Sequence, residues 1–383
     1  MKTVFIITNI PNPYRIPLFN EIDELFKNNN YHLKVIFAAA GYSRRKFKLD
    51  LSSCNFEYEI LEGGVFESSS NKEKTYFGYK GLLQLVNKEK PFRCIITGFS
   101  PGTMQLFLRS FITPTPFIIW SGSIKKDGRN DSWWRVLQRK IIVKRAKAFV
   151  AYGQKAKKYF VEELGVNHEK VEIGINTVDT HFFNSQTEIY KSKNENKSDL
   201  KHFLYVGYLV PRKNVKRILE AAKALSTKRA DFVIDIVGDG ENKSELEAFS
   251  IEHNLNNFVK FHGFKQKEDL PSYFATSLAF LFQTDFDIWG LTLNEAMAAG
   301  LPCICSLNAG ASSDLIEEGV TGWTVDYADI ENVVSKMNWL LDHPTEAEQM
   351  GEKAKRIIEE KASLKISAQG FLQAIQKSIE NKN

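Results

Sequence analysis

Residues 280–306 read FLFQTDFDIWGLTLNEAMAAGLPCICS, and they predict a buried strand, an acidic loop, a short helix and a second buried strand in succession. The apolar run ends at Thr284. Asp285 and Asp287 follow, then Gly290. A helix begins near Leu291, carries Glu295 and stops at Gly300-Leu301-Pro302, where Gly and Pro are a helix-end signal. Ala296, Ala298, Ala299 and Gly300 are small enough to let that helix lie close on a sheet. A strand, a covering helix and another apolar strand imply a parallel sheet with both faces buried, the hallmark of an α/β protein.

The same alternation extends both ways from this segment. Downstream of residue 200, strands are predicted at 202–207, 232–237, 258–262, 278–283, 302–306 and 322–325. Helices are predicted at 214–228, 241–254, 267–275, 291–299, 312–317, 330–342 and 344–359. Upstream, strands are expected at 2–9, 32–39, 56–61, 93–98, 116–121, 147–152 and 171–175, with helices at 14–28, 76–89, 131–146 and 153–164. Residues 184–200, NSQTEIYKSKNENKSDL, have almost no apolar content and read as a linker or surface loop. A chain of 383 residues exceeds the ~250–300 at which one core stops growing. Two doubly wound, Rossmann-like lobes are therefore expected, at 1–183 and 201–361. A last helix within 362–383 can pack back on the first lobe. Open α/β sheets bind ligands outside the carboxyl ends of their strands, so a cleft between the lobes is the expected site.

Hydrophobic residues make up 43% and charged residues 25%, which fits a folded globular protein and excludes disorder as the default. Residues 1–185 hold 28 Lys+Arg against 17 Asp+Glu, a balance of +11; residues 186–383 hold 23 and 29, a balance of −6. A basic first half attracts anions such as phosphates or an anionic membrane, although solvated surface lysine gives the same count. The four cysteines, Cys54, Cys94, Cys303 and Cys305, form no CxxC pair or zinc spacing. Three lie in apolar runs, which suits a reducing compartment. The opening MKTVFIITNIPNPYR is interrupted by Thr8 and Asn9 and reads as a first strand rather than a signal peptide. No run approaches 18 uncharged apolar residues, so no membrane span is expected.

The chemistry concentrates around the opening segment. A helix N-terminus offers N–H groups and a partial positive charge, so Gly290, Leu291 and Thr292 suit a phosphate or sugar hydroxyls. A carboxylate one turn on, Glu295, can accept two hydrogen bonds from a vicinal diol such as ribose. Taken alone, Glu295 and Asp287 would read as helix capping and loop solvation. In 205–214, YVGYLVPRKN, Lys213 follows a Gly-containing turn and can meet a leaving phosphate as a point charge. Taken alone it would read as a surface lysine.

These residues together resemble the family 4 retaining glycosyltransferases of the GT-B fold, of the type that builds bacterial surface polysaccharides. That family carries two acidic residues separated by seven others ahead of an Ala-rich helix, and Asp287 and Glu295 stand at that spacing, with Asp where Glu is usual. The resemblance implies that Asp287 contacts sugar hydroxyls, Glu295 the ribose, and Lys213 the diphosphate. Tyr208 stands where the family has Arg, and Arg212 can substitute because its planar fork suits phosphate. Gly207 and Gly238 (in VGDGE, 237–241), and Phe264 and Lys265 beside VKFHGF (259–264), would complete the donor site. INTVDTHFF (175–183) and NAGASSDLIEEGVTGW (308–323) match further family segments in order. The implied activity is transfer of a sugar from a nucleoside-diphosphate sugar, UDP favoured, to a glycan or lipid-linked hydroxyl acceptor. No metal, cofactor or nucleic-acid partner is implied. The implied place is the cytoplasm, at the inner face of the membrane.

The first lobe matches less closely. Arg15, in NIPNPYRIPLF (9–19), can face the cleft, cap a helix or bind a surface carboxylate. IIWSGS (118–123) lacks the His that many members carry, and Trp120 or Ser121 takes that place on the acceptor side. Residues 131–147, DSWWRVLQRKIIVKRAK, are basic and amphipathic. They fit an anionic membrane surface, and equally an ordinary helix with buried tryptophans. Three rival functions stand beside the transferase. Asp285 and Asp287 could be a metal-binding DxD pair. Two Rossmann-like lobes could serve a dehydrogenase, though no GxGxxG opens either lobe. Tyr208 in place of Arg leaves room for a non-catalytic sugar-nucleotide or membrane-binding module.

Overall fold

The computed structural model describes residues 1–41, 50–67, 75–113, 115–125, 132–193 and 200–380. The chain divides into two compact units, Met1–Val178 with Leu364–Asn383, and Asp179–Ser363.

The first unit holds β1 (Lys2–Thr8), β2 (Tyr31–Phe37), β3 (Glu57–Ile60), β4 (Val65–Glu67), β5 (Thr75–Phe77), β6 (Arg93–Thr97), β7 (Phe117–Ser121), β8 (Ala148–Ala151) and β9 (Val171–Ile173). Seven of them form a sheet of order β3-β2-β1-β6-β7-β8-β9, parallel throughout. Its central strands are apolar on both faces. Val4, Phe5, Ile6 and Ile7 of β1 are wholly buried, as helices on both sides require. The second unit holds β10 (Lys201–Val206), β11 (Phe232–Val237), β12 (Val259–Gly263), β13 (Ser277–Phe282), β14 (Cys303–Ser306) and β15 (Gly322–Val325), in the parallel order β12-β11-β10-β13-β14-β15. In each sheet the first strand lies in the interior and the order reverses beside it. The loops after β10 and β13 therefore leave the sheet at a topological switch point.

Three expectations are corrected. Residues 184–193, read as linker, are the later turns of a helix, Thr180–Lys193. Phe183 and Thr187 are buried one helical turn apart, and Phe183 meets Phe274 edge-on at 6.0 Å. A narrow buried stripe suffices to hold this helix, so its composition stays polar. Residues 194–199 of the expected linker lie outside those described. Second, the helix expected at 76–89 starts only at Leu82, because Thr75–Phe77 pairs antiparallel with Val65–Glu67. The Gly78 N–H to Gly64 O bond of 2.8 Å closes that hairpin, and periodicity alone does not reveal it. Third, the boundary between the units falls after Val178, not after 183.

The last helix, Leu364–Glu380, belongs to the first unit. Phe371 packs on Trp120 at 4.9 Å, and Arg93 Nε donates to Ser378 Oγ at 2.7 Å. Cys94, Cys303 and Cys305 are buried, and all four cysteines are free thiols. Among the described residues no helix is long and apolar enough to cross a membrane.

Candidate active site

At the switch point of the second unit, the loops after β10 and β13 are bonded to one another. Lys213 sits on a short 3-10 turn, Pro211–Lys213, and is buried. Its Nζ lies 2.6 Å from Asp287 Oδ2, and Arg212 Nη1 lies 3.7 Å from the same oxygen. Arg212 O accepts from the Asp285 N–H at 2.9 Å and from Thr284 Oγ1 at 3.2 Å. Asn214, at φ +41°, turns the chain back and donates to both Asp285 oxygens at 3.1 and 3.2 Å. The loop after β14 adds a third layer, as Gly310 N–H donates to Asp287 O at 2.9 Å. Burial pushes the Asp287 carboxyl up, but the charge and hydrogen bond of Lys213, with Arg212 behind them, outweigh it and hold the group below the usual Asp range. The arrangement is a buried cation held by an internal carboxylate.

The helix Leu291–Ala298 starts at Gly290 with no side-chain cap. Gly290 has φ +109°, and a Cβ there would stand 2.3 Å from Phe282 Cζ. Lys213 Nζ lies 4.8 Å from the centroid of that same ring. The ammonium and the helix start thus flank one aromatic side chain. Leu291 and Thr292 form the first turn, where backbone N–H groups point out of the helix end. Glu295 lies one turn further on. Its Oε2 is buried and has no hydrogen-bond partner. Burial pushes this carboxyl up to about 8, with Lys267 pulling the other way. Asp287 is thus paired with Lys213, whereas Glu295 Oε2 has no partner and Lys267 acts on it only through its charge.

Lys267 was not singled out by sequence. It belongs to a 3-10 turn, Lys267–Asp269, just after β12, and lies over the Phe182 ring at 4.1 Å. No local pattern marks it, because its partners come from two distant elements.

The loops after β10, β11 and β12 lie against one another. Gly207 N–H donates to Val237 O at 3.0 Å, and Gly238 N–H to Gly263 O at 2.9 Å. Gly238 has φ +154°, and a Cβ there would stand 1.8 Å from Gly207 O. Phe264 follows Gly263 directly and is part exposed, as is Tyr208. Lys265 Nζ lies 5.9 Å from the Tyr273 centroid.

In the first unit, Arg15, Trp120 and Ser121 are all buried. The Arg15 guanidinium lies over Trp120 at 4.0 Å, and its Nη2 donates to Tyr152 OH at 2.7 Å. Of the three places open to Arg15 in the sequence, the surface carboxylate is not the one taken, since its guanidinium packs on aromatic rings. Its Nη1 and the Trp120 Nε1 are buried without a hydrogen-bond partner. Ser121 Oγ donates to Ser123 Oγ at 3.0 Å.

Asp285 and Asp287 do not form an open pair of oxygens. Asn214 and Gln283 donate to Asp285, and Lys213 holds Asp287. Among the described residues no three His, Cys, Asp or Glu side chains group as a metal would need.

Residues 186–357, a little under half of the chain, match the family model for glycosyl transferases group 1. Alpha-D-kanosaminyltransferase of Streptomyces kanamyceticus is 29% identical over 161 residues, 42% of this chain and 42% of the relative. The amylovoran biosynthesis glycosyltransferase AmsK of Erwinia amylovora is 31% identical over 134 residues, 33% of each chain. The matched stretch thus spans less than half the length of either relative. Across the whole molecule, Anabaena HepE in complex with UDP superposes with a TM-score of 0.75 at 16% identity, covering 98% of this chain and 100% of that one. The fold is the GT-B architecture, with two Rossmann-like domains.

Proposed function

We propose that this protein is a glycosyltransferase that moves a sugar from a UDP-sugar to a hydroxyl acceptor with retention of configuration. The observation that carries this reading is the buried Lys213–Asp287 pair beside an uncapped helix start, at the switch point of the second sheet. The match of 186–357 to glycosyl transferases group 1 supports it. The UDP bound to HepE supports the choice of base, and the amylovoran biosynthesis named for AmsK supports a part in glycan assembly; the acceptor we assign is a lipid-linked glycan of surface-polysaccharide or lipopolysaccharide assembly.

In this mechanism the donor diphosphate displaces Asp287 from Lys213. Freed, Asp287 turns to the sugar hydroxyls. Lys213, Arg212 and the N–H groups of Gly290, Leu291 and Thr292 stabilise the charge that builds on the leaving diphosphate. Glu295 holds the ribose diol. Gly207 and Gly238 let the backbone come close, and Phe264 and Lys265 lie along the base. The anomeric C–O bond to phosphate breaks, the acceptor oxygen bonds to the anomeric carbon, and its proton passes to the leaving phosphate. The protein works without a metal, at the cytoplasmic face of the membrane. Arg15, with Trp120 and Ser121, orders the acceptor side.

Release of UDP from a panel of UDP-sugars, with GDP- and ADP-sugars alongside and with EDTA present, tests this. Lys213→Ala and Glu295→Ala should each lower turnover by roughly 10²-fold or more, with circular dichroism unchanged. Full activity in either variant refutes the assigned roles, and loss of activity in EDTA refutes the metal-free reading.

A further inference from the structure

We infer that the first unit carries a subsite for an acidic sugar residue of the acceptor substrate, whose carboxylate or phosphate is read by Arg15 and Trp120. The inference deepens the proposed function and rests on its reading of Arg15, Trp120 and Ser121 as the acceptor side. Arg15 is 7% exposed and Trp120 is wholly buried. A guanidinium this deep is costly unless an anion faces it. Among the described residues no carboxylate does, and its electrostatic partners are the phenols of Tyr152 and Tyr14. The guanidinium lies 4.0 Å from the ring centroid of Trp120, 5.2 Å from that of Tyr152 and 5.4 Å from that of Tyr14. Its Nη2 donates to Tyr152 OH at 2.7 Å, while Nη1 is buried and donates to nothing. Trp120 Nε1, on the ring beneath the guanidinium, is a second buried donor without a partner. Buried polar groups are nearly always paired, so two unpartnered donors beside one uncompensated charge suit an anion.

A third unpartnered group points to a sugar as the carrier of that anion. Asn12 Oδ1 is buried and accepts from no donor. The Arg15 N–H donates to Asn12 O at 2.8 Å, so the two residues belong to one turn. A carbonyl oxygen in that position calls for a hydroxyl, which a sugar carries and a phosphodiester lacks. Pro11 and Pro13 flank Asn12 and restrict the turn, so Arg15 is held in place before any ligand arrives.

The place in the fold agrees. Arg15 ends the loop after β1, Trp120 lies near the end of β7, and Tyr152 follows β8. All three stand at the carboxyl ends of parallel strands, where open α/β sheets take their ligands. Gly98 follows β6, donates its N–H to Trp120 O at 2.7 Å, and would meet nothing within 4 Å if it carried a Cβ. Open space thus borders the strand that carries the indole.

Scanning calorimetry of the full chain, with no sugar donor present, tests it. Glucuronate and glucose 6-phosphate, each at tens of millimolar, should raise the melting temperature of the first unit above that in glucose with sodium chloride at equal ionic strength. The anion with the larger shift tells a carboxylate from a phosphate. Arg15→Met should abolish the shift and melt no lower than wild type, since the uncompensated charge is gone. Trp120→Phe keeps an aromatic ring, loses the N–H, and should cut the shift by roughly half or more. The assignment is overturned if neither anion exceeds the chloride control, or if Arg15→Met retains the shift. An Arg15→Met chain that fails to fold also overturns it, because Arg15 would then be a structural residue. UDP release is read separately. Turnover without anion stabilisation sinks the subsite alone, whereas anion stabilisation without turnover leaves the anion site standing and removes the proposed reaction.

Discussion

Glu295 carries the most informative single group in the second unit. Its carboxyl is raised to about 8 in the folded chain from 4.5, because burial penalises the charged form more than Lys267 favours it. An acid raised on folding binds its proton more tightly in the native state. Its contribution is therefore fully present below about pH 4.5 and is lost as pH rises towards the folded value of about 8. Glu295→Gln, which stays neutral, should match wild type in stability at pH 4.5 and exceed it increasingly up to pH 8, as thermal unfolding across that range will show. Asp287 has the opposite sign. It is held low by Lys213, so its contribution is present at neutral pH and lost only as pH falls through its folded value. The spacing of the two residues singled both out in the sequence. Their environments were not legible, since the charge acting on Glu295 comes from Lys267 in the turn after β12.

At the scale of elements, the decisive piece is the junction between β13 and the helix Leu291–Ala298. Gly290 must hold φ +109° there, with Phe282 filling the space a side chain would need. Gly290→Ala should cost roughly 1–3 kcal/mol through backbone strain and overpacking. It should also weaken UDP binding by shifting the helix start away from Lys213. Urea denaturation and calorimetric titration with UDP read the two effects separately. That a glycine stands before this helix is plain in the sequence. That its absent side chain is replaced by the ring bordering Lys213 is a tertiary fact. The helix Trp133–Val143 teaches the same lesson, since its periodicity marks an amphipathic helix without saying which side faces inward.

For the whole molecule, the last helix binds the end of the chain to its beginning. Phe371 is buried against Trp120 and beside Gly174, where an added Cβ would meet its ring at 2.9 Å. Phe371→Ala should therefore destabilise the first unit by about 3–5 kcal/mol and leave the second largely unaffected. Since Lys213, Asp287 and Glu295 all lie within Asp179–Ser363, UDP should raise the transition of the second unit while that of the first stays put. Scanning calorimetry of wild type and variant, with and without UDP, resolves both. A single transition that shifts equally in all four conditions would contradict the independence of the two cores.

The alternation of strands and helices and the division into two α/β units were determined by the sequence alone. Those features rest on short-range causes: apolar runs, helical spacing, and Gly or Pro where the chain must turn. Only the tertiary structure decided that residues 184–193 are helical, that Trp133 and Trp134 face outward, and that Asp287 pairs with Lys213 while Glu295 is buried without a partner. Each of these depends on contacts between residues far apart in the chain, and such contacts leave no periodic trace in it.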